Sequence, residues 1–208
     1  MDWKLKYRPQ TLDDMALPDS IRKKFLAFQK GEYTQNLLLI GSFGKGKTSV
    51  AKLLRSPENT LFISSSDCSG VESINSILGG CSSMTVNGGR RLVIIDEAEK
   101  LSNQAFQSLR GSIEKLSTIN DFVFTCNDIN KIDQGIISRL EIIDFNFNSQ
   151  QYPNLKIQLL NRIKQILLNE NIVLNPELEQ NIKYLVKNFE GDYRKLIGKL
   201  QSLCFDMN

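Results

Sequence analysis

The chain has 208 residues, of which 41% are hydrophobic and 24% are charged, and its formal net charge is +3. No apolar run approaches the roughly 18 residues that span a membrane, so the composition predicts a globular protein with no membrane partner. A net charge this small does not by itself indicate nucleic-acid binding, and the absence of histidine excludes a Ser-His or Cys-His catalytic pair.

The first residues and the cysteines bear on the cellular compartment. The segment 1–4 lacks the apolar core of a signal peptide, so we expect a protein of the reducing cytoplasm. The cysteines form no C-x-x-C pair, and a zinc site would need all four of them from distant positions. Buried thiols are therefore the expected state of Cys68, Cys81, Cys126 and Cys204.

The first predicted strand, 37–40, leads directly into a phosphate-binding motif. Residues 41–48, G-S-F-G-K-G-K-T, fit the pattern G-x-x-x-x-G-K-[ST], and a helix is predicted over 48–54. Lys47 is expected to reach the β- and γ-phosphates of a nucleotide, and the Thr48 hydroxyl to bind Mg2+. A chance glycine-rich turn is the alternative, and the flanking strand and helix disfavour it. The tight turn and exposed N–H groups are assigned to Gly41, Gly44 and Gly46.

Four further short apolar runs follow, at 61–63, 92–95, 122–124 and 142–145. Each is separated from the next by a stretch that can form a helix, and one such helix is predicted over 71–78. Runs that are apolar on both faces and alternate with helices predict an α/β fold, in which a parallel five-stranded sheet is covered on both sides. Such sheets bind ligands at the carboxyl ends of their strands, where the motif 41–48 lies.

Polar side chains follow the next strands. We expect Asp96 to hold Mg2+ through its water shell and Glu97 to polarise the attacking water, although acids also occur where a helix follows a strand. Asn127 could reach the γ-phosphate, but taken alone it is better explained as a turn residue. Arg139 is either a solvated arginine or one that completes the active site of a neighbouring subunit.

After Phe147 the sequence becomes polar and then shows three helical patterns without a further strand. Apolar residues recur at helical spacing over 155–167, Pro176 begins a helix that runs to about Lys187, and a third helix is predicted over 192–203. Because so short a segment buries little core on its own, it is expected to dock on the α/β core. We predict two domains, a core over 1–148 and a three-helix lid over 149–208.

The order of these motifs resembles the AAA+ ATPases, and within them the clamp-loader subunits. The opening W-K-L-K-Y-R-P-Q-T-L-D-D at 3–14 is similar to the W-x-x-K-Y-R-P-x-T-x-x-D of replication-factor-C-type loaders. The segments 66–68 and 189–195 are most similar to the large, ATP-hydrolysing subunit of T4-like phage loaders. This similarity favours a viral source, in which case the cytoplasm would be that of the host cell. The resemblance also includes D-E-A-E at 96–99, T-C-N at 125–127, S-R at 138–139 and G-D-Y-R at 191–194.

The resemblance implies a role for each motif. Asn127 would be sensor 1, which detects the γ-phosphate, and Arg194 would be sensor 2, which links the lid to bound ATP. Arg139 would be the arginine finger, acting on ATP held by the adjacent subunit. Adenine would be bordered by Lys4, Leu5, Lys6, Tyr7, Arg8 and Ala16, and the phosphates by Gly41, Gly44, Lys45, Gly46, Lys47, Thr48 and Ser49.

Three departures from the family pattern bear on function. Helix 105–114 is similar to the A-Q-Q-A-L-R-R-x-M-E helix at the ring centre, where Gln107 would couple ATP sites to DNA and Arg110 would approach a phosphate. Its second arginine is Gly111 here, which weakens the DNA contact. Lys45 replaces the usual threonine, and an extra cation there would tighten nucleotide binding or slow product release. The 208 residues do not extend into the family's helical collar domain, either because the protein ends there or because the sequence is a fragment.

The resemblance therefore implies an ATPase subunit of a DNA polymerase sliding-clamp loader, which uses ATP and Mg2+ to load the clamp onto primer-template DNA during replication. Its partners would be the other subunits of a homo- or hetero-oligomeric ring, expected to be a pentamer, together with the sliding clamp and DNA. Two alternatives remain open. One is another AAA+ DNA-associated ATPase, of the helicase-loader or branch-migration type, and the other is a nucleotide-binding assembly module with little hydrolysis.

Overall fold

The computed structural model describes residues 1–67, 70–82 and 89–205. Strands in these ranges are β1 (Leu37–Ile40), β2 (Thr60–Ser64), β3 (Arg91–Asp96), β4 (Asn120–Cys126) and β5 (Glu141–Asp144). The α-helices there are α1 (Trp3–Lys6), α2 (Asp19–Gln29), α3 (Lys47–Leu53), α4 (Val71–Gly79), α5 (Asn103–Leu116), α6 (Gln134–Ile137), α7 (Pro153–Asn169), α8 (Pro176–Lys187) and α9 (Tyr193–Phe205). Short 3-10 turns occupy Leu12–Asp14, Pro57–Asn59, Ala98–Lys100 and Ile129–Lys131.

The five strands form one parallel sheet in the order β2-β3-β4-β1-β5. Leu38 of β1 pairs with Phe124 of β4 on one side and with Ile142 of β5 on the other. The predicted α/β fold with a parallel five-stranded sheet is therefore confirmed. The phosphate-binding motif leaves the sheet at the end of β1, so it is flanked by the ends of β4 and β5.

Alternate side chains of the sheet pack into two apolar cores. Leu37 and Val123 belong to the first core, which also contains side chains of α2, α3 and the three C-terminal helices. Leu38 and Phe122 belong to the second core, which α4, α5 and α6 cover. Because the first core is shared, the C-terminal helices are held against the sheet layer by apolar burial, as their small size predicts.

The prediction that all five strands are buried on both faces is wrong for the two edge strands. Phe62 in β2 is 37% exposed and Ile142 in β5 is 44% exposed, whereas the apolar side chains of the central strand β4 are fully buried. Each edge strand has a sheet neighbour on one side only. The ring of Phe62 is instead covered by the Lys52 ammonium, which lies 3.7 Å from the ring centroid.

Strand β4 begins two residues before the predicted apolar run, because its first two polar side chains find partners within the chain. The Asp121 carboxylate is fully buried and pairs with Arg55 at 2.5 Å and with Arg90 at 2.7 Å. Asn120 donates to the Cys81 carbonyl at 3.0 Å. A carboxylate is tolerated in the interior when it is paired and hydrogen-bonded in this way, and polarity alone does not reveal the pairing.

The C-terminal helices begin at signals that the sequence carries. Pro176 lies in the first turn of α8, and the Asn175 side chain caps this helix by accepting the Leu178 N–H at 2.7 Å. The helix α9 begins one residue after the predicted start, because the Asp192 carboxylate accepts the Lys195 N–H at 2.9 Å and acts as its cap. No described helix is long and apolar enough to cross a membrane.

The predicted burial of the thiols is confirmed for three cysteines. Cys81, Cys126 and Cys204 are buried, and burial raises the pKa of Cys126 to about 12. Cys68 lies outside the described residues.

Candidate nucleotide-binding site

A cleft of about 370 Å³ opens at the carboxyl ends of the central strands. Its walls come from the phosphate loop 41–46 with the first turn of α3, the N-terminal segment and the start of α9. The predicted site residues that line it are Lys4, Leu5, Tyr7, Arg8, Gly44, Lys45, Gly46, Lys47, Thr48, Ser49, Glu97, Asn127 and Arg194. Residues from five separate parts of the sequence therefore meet at one cleft.

The phosphate loop adopts a backbone that strongly favours glycine. Gly44 and Gly46 have φ values of +78° and +90°, in the left-handed region. A Cβ on Gly44 would lie 2.2 Å from the carboxylate oxygen Oδ1 of Asp192, and a Cβ on Gly46 would lie 2.5 Å from Cε of Met15. Glycine at these two positions therefore suits both the turn and the close approach of neighbouring side chains.

Lys47 lies at the floor of the cleft and is 6% exposed. Its ammonium donates to the carbonyls of Gly41 at 2.6 Å and Ser42 at 2.9 Å, and to Oδ1 of Asn127 at 2.9 Å. Burial lowers the pKa of Lys47, and the nearby Glu99 carboxylate opposes that shift. A hydrogen bond thus connects two residues that were predicted to contact the nucleotide, Lys47 at the end of the phosphate loop and Asn127 at the end of β4.

Glu99 belongs to the same network, although sequence reasoning gave it no role. The Asn127 amide donates to Oε1 of Glu99 at 2.5 Å. The other oxygen, Oε2, is buried and has no hydrogen-bond partner among the described residues. In the sequence, Glu99 is recognisable only as an acid three positions after Asp96. Its partner, Asn127, follows a different strand, so the sequence does not reveal their contact.

Thr48 and Asp96, the predicted Mg2+ ligands, lie side by side. The Thr48 hydroxyl donates to Oδ1 of Asp96 at 2.7 Å, and the Thr125 hydroxyl donates to the same oxygen at 2.6 Å. A carboxylate beside a hydroxyl is the hard-oxygen donor set that Mg2+ prefers when phosphate and water complete its coordination. The residues present therefore fit the predicted metal.

Glu97 follows directly, in a left-handed backbone conformation with φ of +53°. This conformation is uncommon for a residue with a side chain, and the Glu97 N–H bond to the Thr125 hydroxyl, at 3.0 Å, helps to hold it. Its carboxylate accepts hydrogen bonds from Lys100 at 2.5 Å and Ser66 at 2.8 Å. The Lys100 bond is the main cause that lowers the pKa of Glu97, so the ionised form is favoured. Sequence reasoning assigned no role to Lys100, Ser66 or Thr125.

Two residues predicted to border the adenine do not line the cleft. The Lys6 ammonium donates to Glu170 at 2.6 Å. Ala16 is 2% exposed, and its carbonyl accepts the Tyr193 hydroxyl. Both residues connect the N-terminal segment to the C-terminal helices and do not contact the cleft.

Arg139 and Arg110 lie away from the cleft. The Arg139 guanidinium, just after α6, donates to the Glu114 carboxylate and to the Gly135 carbonyl at 2.6 Å. Arg110 makes two bonds to Asp133, at 2.7 and 2.5 Å, and Asp133 caps α6. The prediction that Arg110 approaches a phosphate is therefore not supported by its contacts within the chain, since its side chain is already paired.

Comparison with known proteins finds sequences similar to this chain among proteins of DNA replication. Residues 54–149 match the sequence family described as DNA polymerase III, delta subunit. The chain is 30% identical over 208 residues to the replication factor C small subunit of Methanosphaera stadtmanae and 32% identical over 217 residues to human replication factor C subunit 4. Both alignments cover 96% of this chain, but 62% and 57% of the two relatives. The chain thus spans about three fifths of the length of these relatives.

Solved structures share the fold. A RuvB variant of Thermotoga maritima matches with a TM-score of 0.70 at 20% identity, over 97% of this chain and 66% of that one. AMPPCP-bound DnaA from Aquifex aeolicus matches with a TM-score of 0.67 at 17% identity, over 93% of this chain and 64% of that one. At these identities the likeness concerns the fold alone. The chain has the α/β fold of the AAA+ P-loop ATPases.

Proposed function

We propose that the chain is the ATP-hydrolysing subunit of a sliding-clamp loader of the replication factor C type, which loads the clamp onto primer-template DNA. The observation that carries this proposal is the convergence of Lys47, Thr48, Glu97 and Asn127 at one cleft, with Asp96 hydrogen-bonded to Thr48 behind it. Its support beyond the site is the identity of 30% and 32% to replication factor C subunits, against 20% or less to the RuvB and DnaA structures described above.

The residues of the cleft would hold Mg2+–ATP in three parts. Lys47 and the N–H groups of the phosphate loop bind the phosphates, Thr48 and Asp96 hold the metal, and Tyr7 lies where the N-terminal segment borders the base. Bound Mg2+–ATP supplies a γ-phosphoryl group whose charge the metal partly neutralises. Under this proposal, the groups that bind the nucleotide all come from one chain.

Glu97 is the proposed general base for the attacking water. Its carboxylate is held by Lys100 and Ser66, and its lowered pKa keeps it ionised at neutral pH. Asn127 and Arg194, which both line the cleft, are proposed to contact the γ-phosphate, one from the end of β4 and the other from α9. This arrangement orients water and phosphate without a histidine.

Arg139 is proposed to act on the ATP of an adjacent subunit. Its guanidinium lies outside the cleft of its own chain and is bonded to Glu114 and Gly135. An arginine supplied by a neighbouring chain stabilises the charge of the phosphoryl-transfer transition state. We therefore propose an oligomeric ring, expected to be a pentamer, with other loader subunits, the clamp and DNA as partners. The proposed moving parts are a core over 1–148 and a lid over 149–208.

The test is ATP turnover by the assembled protein with two DNA probes. The proposal predicts that primer-template DNA stimulates turnover more strongly than a four-way junction of the same length and sequence content. Stronger stimulation by the junction would favour a branch-migration ATPase. Tight ATP binding with turnover that neither DNA stimulates would favour an assembly module.

A further inference from the structure

The phosphate loop is tied to the C-terminal helices by a buried lysine. Lys45 is 8% exposed, and its ammonium donates to the carbonyl of Glu190, just before α9. Burial lowers the pKa of Lys45, and the nearby carboxylates of Asp192, Glu190 and Asp144 oppose this shift. A buried ammonium requires partners of this kind, and here they come mainly from the loop that leads into α9.

The loop 190–193 fits the phosphate loop at further points. The Tyr193 N–H donates to the Gly44 carbonyl at 3.0 Å. Gly191 has a φ of +87°, and a Cβ there would lie 2.6 Å from Nζ of Lys45. As described above, a Cβ on Gly44 would collide with Asp192. Each loop thus carries a glycine where the other loop approaches, which indicates a specific contact between them.

Arg194 stands at the end of this contact. It is the second residue of α9 and lines the same cleft as Lys47. Because α9 begins at Tyr193, the position of the loop 190–193 sets the first turn of the helix. The hydrogen bond from Lys45 to Glu190 therefore helps to fix where Arg194 lies.

We propose that Lys45 is a positioning residue, which ties the phosphate loop to the C-terminal helices and so places Arg194 for the third phosphate of a nucleoside triphosphate. This inference rests on the proposed function. It differs from the expectation that Lys45 is an extra cation beside the phosphates, because its ammonium is committed to the Glu190 carbonyl. The two roles predict different nucleotide selectivity.

The test measures binding of fluorescent ADP and of a non-hydrolysable ATP analogue to the full chain. Lys45→Met keeps the buried apolar part of the side chain but removes the hydrogen-bond donor. Lys52→Met is the matched control, because it removes the same charge at an exposed position of α3. We expect Lys45→Met to weaken binding of the ATP analogue about 5- to 10-fold and binding of ADP by less than about 2-fold. Lys52→Met should change neither affinity by more than about 2-fold.

A double-mutant cycle with Arg194→Ala tests whether Lys45 acts through Arg194. In the Arg194→Ala background, the effect of Lys45→Met on the ATP analogue should disappear, because coupled residues are not additive. Equal losses for ADP and the analogue that persist in this background would overturn the proposal in favour of a direct phosphate contact. Unchanged affinity in Lys45→Met would overturn it as well.

Amide hydrogen exchange without nucleotide gives a readout that does not depend on ATP binding. The amides of Tyr193, Lys195 and Leu196 should exchange about 5-fold faster or more in Lys45→Met than in the wild type or Lys52→Met, because the first turn of α9 loses its anchor. Unchanged exchange would overturn the role of Lys45. If the wild type binds neither nucleotide, the proposed function fails, and faster exchange in Lys45→Met still supports the tie itself.

Discussion

The cleft and the surface around Arg139 differ in how their functional side chains are bound within the chain. At the cleft, Lys47 is 6% exposed and joins Asn127 and Glu99 in a continuous hydrogen-bonded network. Arg139 pairs instead with Glu114, whose side chain is 59% exposed. The comparison teaches that one chain carries the groups that bind nucleotide, whereas under the proposed function the group that completes hydrolysis is presented outward to another chain.

The largest expected effect comes from removing Arg139. Arg139→Ala should lower ATP hydrolysis by the assembled protein about 1,000-fold or more, since a trans-acting arginine contributes on this scale. Single-turnover hydrolysis measures this, and ATP binding should stay within about 2-fold because Arg139 does not line the cleft of its own chain. Glu114→Gln is the control. If it lowers hydrolysis as strongly as Arg139→Ala, the ion pair is only structural.

A smaller effect is expected from the base inside the cleft. Glu97→Gln should lower hydrolysis about 100-fold or more, because the amide cannot accept the proton from water. ATP binding should change by less than about 2-fold, since the phosphate loop and the metal ligands are unchanged. Rapid-quench hydrolysis and equilibrium binding measure the two effects. Turnover close to that of the wild type would remove Glu97 from its proposed role.

The network behind Asn127 should contribute less again. Glu99→Gln keeps an oxygen that can accept from Asn127 but removes the charge near Lys47, so hydrolysis is expected to fall about 5- to 10-fold. The matched control is Glu32→Gln, at an exposed position, which should leave the rate unchanged. An equal effect of both substitutions would show that the network is not specific to the cleft.

The smallest effect is a shift in pH dependence. Lys100 stabilises the ionised form of Glu97, so Lys100→Met should raise the pKa of Glu97. Because the proposed base works when ionised, the rate of the variant should begin to fall at a higher pH than that of the wild type as acid is added. At pH 8 the two rates should agree. If the rate of the variant falls at the same acidic pH as that of the wild type, Lys100 does not set the pKa of the base.

The sequence predicted the elements well where hydrophobic periodicity was clear, and less well where polar residues were satisfied at a distance. The helix α8 begins and ends where expected, from Pro176 to Lys187. The start of β4 was missed because Asp121 pairs with Arg55 and Arg90, and these partners cannot be recognised from local composition.

The candidate site shows the same limit. Lys47 and Asp96 were predicted because each belongs to a motif at the end of a strand, whereas the role predicted for Asn127 came from the family resemblance. The contact between Ser66 and Glu97 joins residues 31 positions apart and depends on the meeting of two strand ends. Local pattern does not specify such side-chain pairs. For the same reason, only the structure showed that the ammonium of Lys45 contacts the loop before α9.

The most direct test of the account mixes two inactive variants. Lys47→Ala removes ATP binding, Arg139→Ala removes the proposed finger, and each variant alone should show almost no hydrolysis. If the finger acts between chains, an equal mixture should recover activity, because about a quarter of randomly formed interfaces then combine an intact cleft with an intact Arg139. Native mass spectrometry checks that both variants assemble. Mixed assemblies that recover no activity would contradict the claim that the active site is shared between chains.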